Sequence, residues 1–298
     1  MNLSDLRVLC FGEVLYDQFP NGAKPGGAPM NVAIHLQNFK VGAGIISRVG
    51  YDKQGDQLVS FLKSRGVNTE LIQVDRKHDT GVVRVNIDKN DDPIYTIVEK
   101  VAWDFIDDSF IQHELDPKYL VHGSLICRSV DSNRSLHKLF EKTNAKVVFD
   151  LNVRSPYYSK SVIDGLLKTA HIVKMNMEEF KMIKEWFYIK NPREQGDFKA
   201  IKSLYPNIEM MIVTKGGKGS VGWCNGKTET VKATPITVKD TVGSGDAFLG
   251  AFIGRIDQGA DFSDALRFAA ATGAYVATQE GANPEYLEKD VLPFIPKS

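Results

Sequence analysis

Cysteine and histidine are scarce in this chain, and neither is spaced to bind a metal. The three cysteines, Cys10, Cys127 and Cys224, lie far apart without a C-x-x-C pair, and the six histidines form no H-E-x-x-H motif. These spacings argue against a transition metal caged by the protein. They indicate buried thiols in a reducing compartment, so we expect a cytoplasmic protein.

Excess charge and long apolar runs are also absent. Lysine plus arginine and aspartate plus glutamate number 37 each, so no overall field attracts nucleic acid or an anionic membrane. No apolar run reaches the ~18 residues of a membrane helix, and the polar start Met1–Arg7 does not suit a signal peptide. With 43% hydrophobic and 25% charged residues, we expect a soluble globular protein without nucleic-acid or membrane partners.

Short apolar runs alternate with segments of helical spacing through most of the chain. This βαβ alternation predicts an α/β domain in which helices cover both faces of a central, mostly parallel sheet. The expected strands are Arg7–Phe11, Ile45–Val49, Leu120–Ser124, Lys146–Asp150, Ile172–Asn176 and Met210–Thr214, and the expected helices include Met30–Phe39, Gln54–Ser64, Asn133–Glu141 and Met177–Phe187.

The segment Thr80–Glu99 departs from this rhythm. Apolar residues alternate with polar ones up to Ile87, Lys89–Pro93 reads as a turn, and Ile94–Val98 reads as a return strand. The pattern predicts a β-hairpin outside the βαβ units. It could be an antiparallel edge of the main sheet, or a small β lid that closes over a site and excludes water.

A second predicted hairpin excludes a dinucleotide fingerprint. Gly217–Gly222 matches G-x-G-x-x-G and follows a predicted strand, but a fingerprint must open a helix. Here the chain enters strands at Ser220–Cys224 and Thr228–Lys232, joined by an Asn-Gly turn. No G-x-x-x-x-G-K-S/T sequence occurs either, so the chain is not a P-loop enzyme.

The stretch Val238–Phe248 has the composition of an anion-binding helix start. Gly243, Ser244 and Gly245 precede an apolar helix that runs through Ile256. Free amides at a helix N-terminus, together with the helix dipole, favour a phosphate there. Asp246 in the first turn could accept a proton beside that phosphate, or it could merely complement the helix dipole.

Polar residues near other predicted strand ends could bind a ligand. Gly27 and Asn31 open a helix and could grip vicinal hydroxyls, although a turn with a helix cap has the same composition. Asp17 follows the first strand, where open α/β sheets bind ligands, or lies in a surface turn. Arg154 could bind a phosphate or a substrate oxygen, or form an internal ion pair.

Asn176 and Glu179 follow the strand Ile172–Asn176 and have the spacing of a capping box. The same Glu179 could hold a water of a Mg²⁺ ion that bridges nucleotide phosphates. The two roles are compatible.

Taken in order, these stretches resemble the ribokinase-like (PfkB) family of carbohydrate kinases, and fructokinases most of all. The opening Cys10–Pro20 is more similar to fructokinases than to ribokinases. The resemblance implies a single domain over residues 1–298 with the ribokinase-like three-layer α/β/α sandwich, and a small β-sheet lid inserted at about residues 14–28 and 80–105. The matching stretches are GGAPMNVA from Gly26, Ile46–Asp56, DLNVR from Asp150, NMEE from Asn176, Val213–Ser220 and DTVGSGDAF from Asp240.

The resemblance also implies roles for individual residues. Asp246 is expected to take the proton from the attacking sugar hydroxyl, while the amides of Gly243, Ser244, Gly245 and Asp246 hold the transferring phosphoryl group. The sugar is expected to contact Asp17, Gly27 and Asn31, and the nucleotide is expected to contact Asn176, Thr214, Gly216, Gly219 and Ala270. Glu179 is expected to hold Mg²⁺ through water. A K⁺ ion is expected beside Asp240 and Thr241, next to the Thr278–Ala282 loop.

Two departures from the family pattern affect the sugar site and the anion-binding loop. Fructokinases commonly carry an arginine on the return strand of the lid, but this chain has Val98–Asp104 there. Trp103 could stack on the sugar face in its place, or belong to the core. Ser244 replaces the usual alanine, a small change that the loop should tolerate.

The sequence therefore predicts an ATP-dependent sugar kinase that uses Mg²⁺ and acts on the 6-hydroxyl of fructose. One alternative is a kinase for another sugar or sugar acid, such as ribose or 2-keto-3-deoxygluconate, since Arg154 could pair with a substrate carboxylate. The other is a sugar- or nucleotide-binding regulator without catalysis. Relatives often pair their lid strands, so a homodimer through the lid is also expected.

Overall fold

Thirteen strands form two sheets in the residues that the computed structural model describes, 3–20, 22–87, 93–191 and 193–296. In chain order they are β1 (Val8–Phe11), β2 (Leu15–Phe19), β3 (Gly22–Gly26), β4 (Ala43–Gly50), β5 (Ile72–Asp75), β6 (Gly81–Ile87), β7 (Pro93–Ile97), β8 (Tyr119–Gly123), β9 (Lys146–Asp150), β10 (Ile172–Asn176), β11 (Met210–Thr214), β12 (Ser220–Cys224) and β13 (Lys227–Val231).

The main sheet has nine strands in the order β13-β12-β11-β10-β9-β8-β1-β4-β5. From β11 to β5 all neighbours are parallel, while β12 and β13 pair antiparallel. The expected mostly parallel sheet is confirmed. The β12–β13 hairpin is also as predicted, so the G-x-G-x-x-G match does not open a helix.

Helices cover both faces of the main sheet, because successive strand residues point to opposite sides. Along β1, Val8 and Cys10 join one core and Leu9 and Phe11 join the other. The first core is closed by α1 (Ala28–Asn38), α2 (Lys53–Ser64), α7 (Ser244–Asp257), α8 (Phe262–Ala277) and α9 (Glu288–Val291), and the second by α3 (Val130–Lys142), α4 (Lys160–Leu167), α5 (Met177–Trp186) and α6 (Glu194–Leu204).

The second sheet is small and separate, with strand order β3-β2-β6-β7. Within it β2 pairs parallel with β6, while β2–β3 and β6–β7 are antiparallel. The predicted hairpin of Thr80–Glu99 thus belongs to this small sheet and is not an edge of the main one. Of its expected turn, Lys89–Pro93, the first four residues lie outside the described residues, and Pro93 begins β7.

Among the described residues, no helix is long and apolar enough to cross a membrane. The three cysteines are free thiols, with Cys10 buried and the other two partly so.

Candidate active site

The anion-binding loop is built on a glycine that no other residue could replace without strain. Gly243 precedes α7 with φ 75°, and a Cβ there would lie 2.6 Å from the Cα of Ala282. The N–H of Ser244 donates to the Thr241 carbonyl at 3.2 Å. The N–H groups of Gly245 and Asp246 have no partner within the described residues, as the first turn of a helix dictates. They remain open to an anion.

Asp246 lies in the first turn of α7 and contacts a residue from the far end of the chain. The Nδ2 of Asn31, on α1, donates to Asp246 Oδ2 at 2.7 Å. Burial raises the pKa of Asp246 to about 6, while Lys174 and the bond from Asn31 oppose the rise. The carboxyl is therefore mostly ionised at neutral pH and able to accept a proton.

A buried ion pair, which the sequence analysis missed, lies beneath this loop. Lys174 on β10 and Asp150 on β9 are register partners, and Nζ lies 2.8 and 3.0 Å from the two carboxylate oxygens. Burial opposes the charge of Lys174, but the carboxylates of Asp150 and Asp246 outweigh it and raise the pKa of the amine. A Cβ on Gly245 would lie 3.3 Å from Nζ, so a permanent cation supports the loop from below.

A sequence signal for Lys174 did exist. The residue interrupts the apolar strand Ile172–Asn176, and a lysine is almost never fully buried without a partner of opposite charge. An acid on a neighbouring strand was therefore to be expected.

Of the residues predicted to bind sugar, Asp17 lies within the electrostatic reach of Arg154. The exposed guanidinium donates to the Val153 carbonyl and forms no ion pair within the described residues, so the internal ion-pair alternative is not observed. Burial raises the pKa of Asp17 to about 6, against an opposing effect of Arg154. Arg154 acts in the same direction on Asp246 and on Glu13, which brings three carboxyl groups within its electrostatic reach.

Glu13 is a further buried acid that the sequence analysis did not single out. Only 4% of it is exposed, its Oε1 accepts the Ala28 N–H at 3.3 Å, and burial raises its pKa to about 7. Gly27 has φ 118°, and a Cβ there would collide with the Glu13 carbonyl. Glycine at this position therefore keeps β1, α1 and the acid together.

Trp103 does not line this site, so the prediction that its ring stacks on a sugar is corrected. The side chain is 0% exposed and belongs to the core on the α3 side of the sheet. The Arg128 guanidinium lies 3.9 Å from its ring centroid and pairs with Asp104 at 2.7 Å. The indole is thus sealed on one face by a cation and has no surface left for a ligand.

Four of the five residues predicted to bind nucleotide line one cleft together with residues of the predicted anion-binding loop. Its volume is about 390 Å³, and Thr214, Gly216, Gly219 and Ala270 all line it beside Ser244 and Gly245. Asn176 does not line the cleft, but it pairs in register with Thr214 on the adjacent strand. An elongated anionic ligand in the cleft would have one end at the amides of α7.

Glu179 is better placed to hold a metal ion through a water molecule than to ligate the ion directly. Its two oxygens accept the N–H groups of Val153 at 2.9 Å and Asn176 at 2.7 Å, and Asn176 Oδ1 completes the predicted capping box. Each carboxylate oxygen retains a lone pair for a water. Among the described residues, no group of three or more acidic, histidine or cysteine side chains could cage an ion.

Asp240 joins the anion-binding loop to the segment after α8. Its oxygens accept the N–H groups of Val242 and Gly281, both at 3.0 Å. Thr241 is exposed, and its carbonyl already accepts the Ser244 N–H. This acid therefore has a structural role whether or not a monovalent cation binds beside it.

Comparison with known proteins agrees with this geometry. The sequence profile of the pfkB family carbohydrate kinases matches residues 5–289. The chain is 28% identical to probable fructokinase-5 of Arabidopsis thaliana, over 93% of each protein. Its fold is similar to that of fructokinase from Vibrio cholerae O395 in its fructose, ADP and calcium ion bound form, with TM-score 0.85, 24% identity and coverage of 98% and 99%.

A putative ribokinase II from E. coli in complex with ATP and Mg²⁺ also has the same fold, with TM-score 0.84, 21% identity and coverage of 97% and 99%. The family profile spans both sheets and both ends of the cleft. With Asp246 and the open amides at the start of α7 in the expected places, the chain belongs to the pfkB family of carbohydrate kinases.

Proposed function

We propose that this carbohydrate kinase transfers the γ-phosphoryl group of ATP to the 6-hydroxyl of fructose. The observation that carries the proposal is a carboxylate with pKa about 6 at the start of α7, beside open amides and a cleft for an elongated anion. Asp246 takes the hydroxyl proton as the sugar oxygen attacks the γ-phosphorus, and the bond from that phosphorus to the bridging oxygen of ADP breaks.

The chain's own residues hold the reacting groups. The amides of Gly245 and Asp246 bind the transferring phosphoryl oxygens, and Lys174 adds positive charge from below. Mg²⁺, held through water by Glu179, would neutralise the nucleotide phosphates. We also propose that a K⁺ ion binds beside Asp240 and Thr241. Because both Asp240 oxygens already accept N–H groups, backbone carbonyls of residues 278–282 would supply ligands to this ion.

Charge around the sugar site supports a neutral substrate. Three carboxyl groups, Glu13, Asp17 and Asp246, lie within the electrostatic reach of the Arg154 guanidinium. A sugar acid would bring another negative charge to this set, whereas fructose offers hydroxyl groups that can donate hydrogen bonds to the carboxylates. This favours fructose over 2-keto-3-deoxygluconate, and the fructokinase relatives favour it over ribose.

ADP release from Mg-ATP with fructose, ribose, glucose and 2-keto-3-deoxygluconate tests the substrate. We expect turnover to be highest with fructose. Asp246→Asn should lower kcat by about 10²–10⁴-fold while fructose binding, measured by calorimetry, changes little.

A matched control separates the base from a mere partner of the helix dipole. Asp264 occupies the first turn of α8 and is exposed, so Asp264→Asn changes a helix charge without touching the site. If Asp246→Asn altered only the melting temperature, as this control does, Asp246 would not be the base. A non-catalytic regulator would bind fructose or ATP and release no ADP with any sugar.

We further propose that the small sheet of β2, β3, β6 and β7 is a lid, and that its edge strands pair two copies of the chain. The four strands lie within residues 15–26 and 81–97, and Asp17 on β2 places a polar group of this sheet near Arg154. Removing the β6–β7 hairpin should raise the KM for fructose and allow ATP hydrolysis without sugar. Sedimentation of the same variant tests the dimer.

The free thiols support a cytoplasmic location.

A further inference from the structure

We propose that Asn283 is a positioning residue for Asp246, acting through the side-chain amide of Asn31. The inference rests on the proposed role of Asp246 as the base. Asn283 Nδ2 donates to Asn31 Oδ1 at 2.8 Å, and Asn31 Nδ2 donates to Asp246 Oδ2 at 2.7 Å. The three side chains form a chain of hydrogen bonds between residues that are 252 and 215 positions apart in sequence.

The chemistry of these groups dictates the direction of each bond. An ionised carboxylate can only accept, so Asn31 must turn its NH₂ group toward Asp246. Its Oδ1 then points to Asn283, which must donate. A flipped amide would place an oxygen against the carboxylate and would favour the protonated acid. Within the described residues, Asn283 is the donor that holds Asn31 in the orientation favouring the charged base.

The backbone around Asn283 is fixed independently of its side chain. His35 Nε2 donates to the Ala282 carbonyl at 2.9 Å, because a carbonyl oxygen can only accept. Arg65 donates to the carbonyls of Asn283 at 2.8 Å and Pro284 at 3.2 Å. Shortening the Asn283 side chain should therefore leave the loop in place.

The side chain does not stabilise its own loop. Its Oδ1 is buried and has no hydrogen-bond partner within the described chain. Among the described residues, the hydrogen bond that this side chain makes is the one from Nδ2 to Asn31.

Two substitutions test the proposal through the pH dependence of kcat/KM for fructose. Asn283→Ala frees the Asn31 amide to rotate. Asn283→Asp keeps the shape but can only accept when ionised, so it draws the NH₂ of Asn31 away from Asp246 and adds a negative charge. In the unmodified protein we expect kcat/KM to fall below about pH 6, where Asp246 becomes protonated. This acid limb of the pH profile should shift to higher pH by about half a pH unit for Asn283→Ala and by about one unit for Asn283→Asp.

At pH 5.5 the kcat/KM of the Asn283→Asp variant should therefore be about eightfold lower than that of the unmodified enzyme, and nearly unchanged at pH 8.5. Glu285→Gln is the matched control, since Glu285 is exposed on the same loop, two residues further on. It should leave the limb in place. A melting temperature close to that of the unmodified protein shows that each variant is folded.

A second readout does not require turnover. A ¹³C NMR titration of aspartate carboxyl groups, with the Asp246 signal assigned from the Asp246→Asn variant, gives the pKa of that group directly. We expect the same upward shifts in the two Asn283 variants. An unchanged carboxyl pKa, or a raised fructose KM with an unmoved acid limb, would overturn the proposal and make Asn283 a sugar contact or a structural residue.

The two readouts also separate this inference from the proposed function. If Asp246→Asn retained full activity, the assignment of the base would fail, while the carboxyl titration would still decide whether Asn283 controls the charge of Asp246.

Discussion

Replacing Lys174 with methionine would remove the cation beneath the anion-binding loop while keeping most of the side chain's volume. Because Lys174 and Asp150 are 7% and 4% exposed, the substitution leaves a buried carboxylate without its partner. Breaking a buried pair in this way costs about 3–5 kcal/mol. We expect the melting temperature to fall on the order of 10 °C, with a folded protein at 25 °C.

The kinetic effect follows from the position of Nζ, 3.3 Å from where a Cβ on Gly245 would be. At an effective dielectric constant of 20, the attraction between this charge and a phosphoryl oxygen about 6 Å away would be about 3 kcal/mol. Since ATP is already negative before transfer, only part of this energy is specific to the transition state. We therefore expect kcat to fall between about tenfold and a hundredfold at pH 8.5.

The acid limb should move as well. Lys174 lowers the pKa of Asp246, so losing it raises that pKa above about 6, and activity is lost at a higher pH as the solution is acidified. ADP release at fixed saturating Mg-ATP and fructose, followed between pH 5 and 9, measures both effects.

The double variant Asp150→Asn with Lys174→Met is the control. It removes both buried charges, so it should regain most of the lost stability. It should not regain kcat, because the phosphoryl group still lacks its cation. Recovery of full kcat in the double variant would refute the reasoning, since Lys174 would then serve only to neutralise Asp150.

Two further substitutions address the metal and the nucleotide cleft. Glu179→Gln keeps the size of the side chain but loses the charge and one of the two oxygens that accept the Val153 and Asn176 N–H groups. We expect a several-fold higher KM for Mg-ATP and a steeper Mg²⁺ dependence, with stability lowered by roughly 1–3 kcal/mol because one N–H group loses its acceptor. An unchanged Mg²⁺ dependence would mean that Glu179 only caps the helix. Gly219→Ala should lower the free energy of unfolding, measured in urea, by roughly 1–2 kcal/mol or more. The reason is that Gly219 has φ 96° and a Cβ there would collide with the Val231 carbonyl. Gly217→Ala, with open space around its Cβ, is the matched control and should be neutral.

Much of the fold could be predicted because buried parallel strands read as short apolar runs. The predicted bounds of β9, β10 and β11 coincide with the observed ones. The strand β5 was not predicted, since only four residues, two of them polar or charged, pair with β4. The pairing of β2 with β6 into a separate sheet also could not be read from periodicity, because their partnership is a long-range contact.

The candidate site, like the fold, could be predicted from the sequence only in part. Residues in contiguous motifs, such as Asp246, Gly243 and Thr214, could be predicted as site residues because the chemistry that they would support is visible in the local sequence. Trp103 was ambiguous, since an aromatic residue after a strand suits a ligand and a core equally well. Its burial depends on Arg128, which follows it by 25 residues and reads as an ordinary surface cation in the sequence.

The contacts that set the pKa of Asp246 could not be predicted from sequence motifs, yet they determine whether this carboxyl is ionised. Burial alone would push the pKa of this carboxyl upward, and Lys174, Asn31 and Arg154 bring it back to about 6. At pH 7 a group with that pKa is about nine-tenths ionised, whereas one unit more would leave only half of it able to accept a proton. The glycine-rich loop therefore leaves open amides at the start of α7, and distant residues on α1 and β10 keep its first acid ionised, as the proposed base must be.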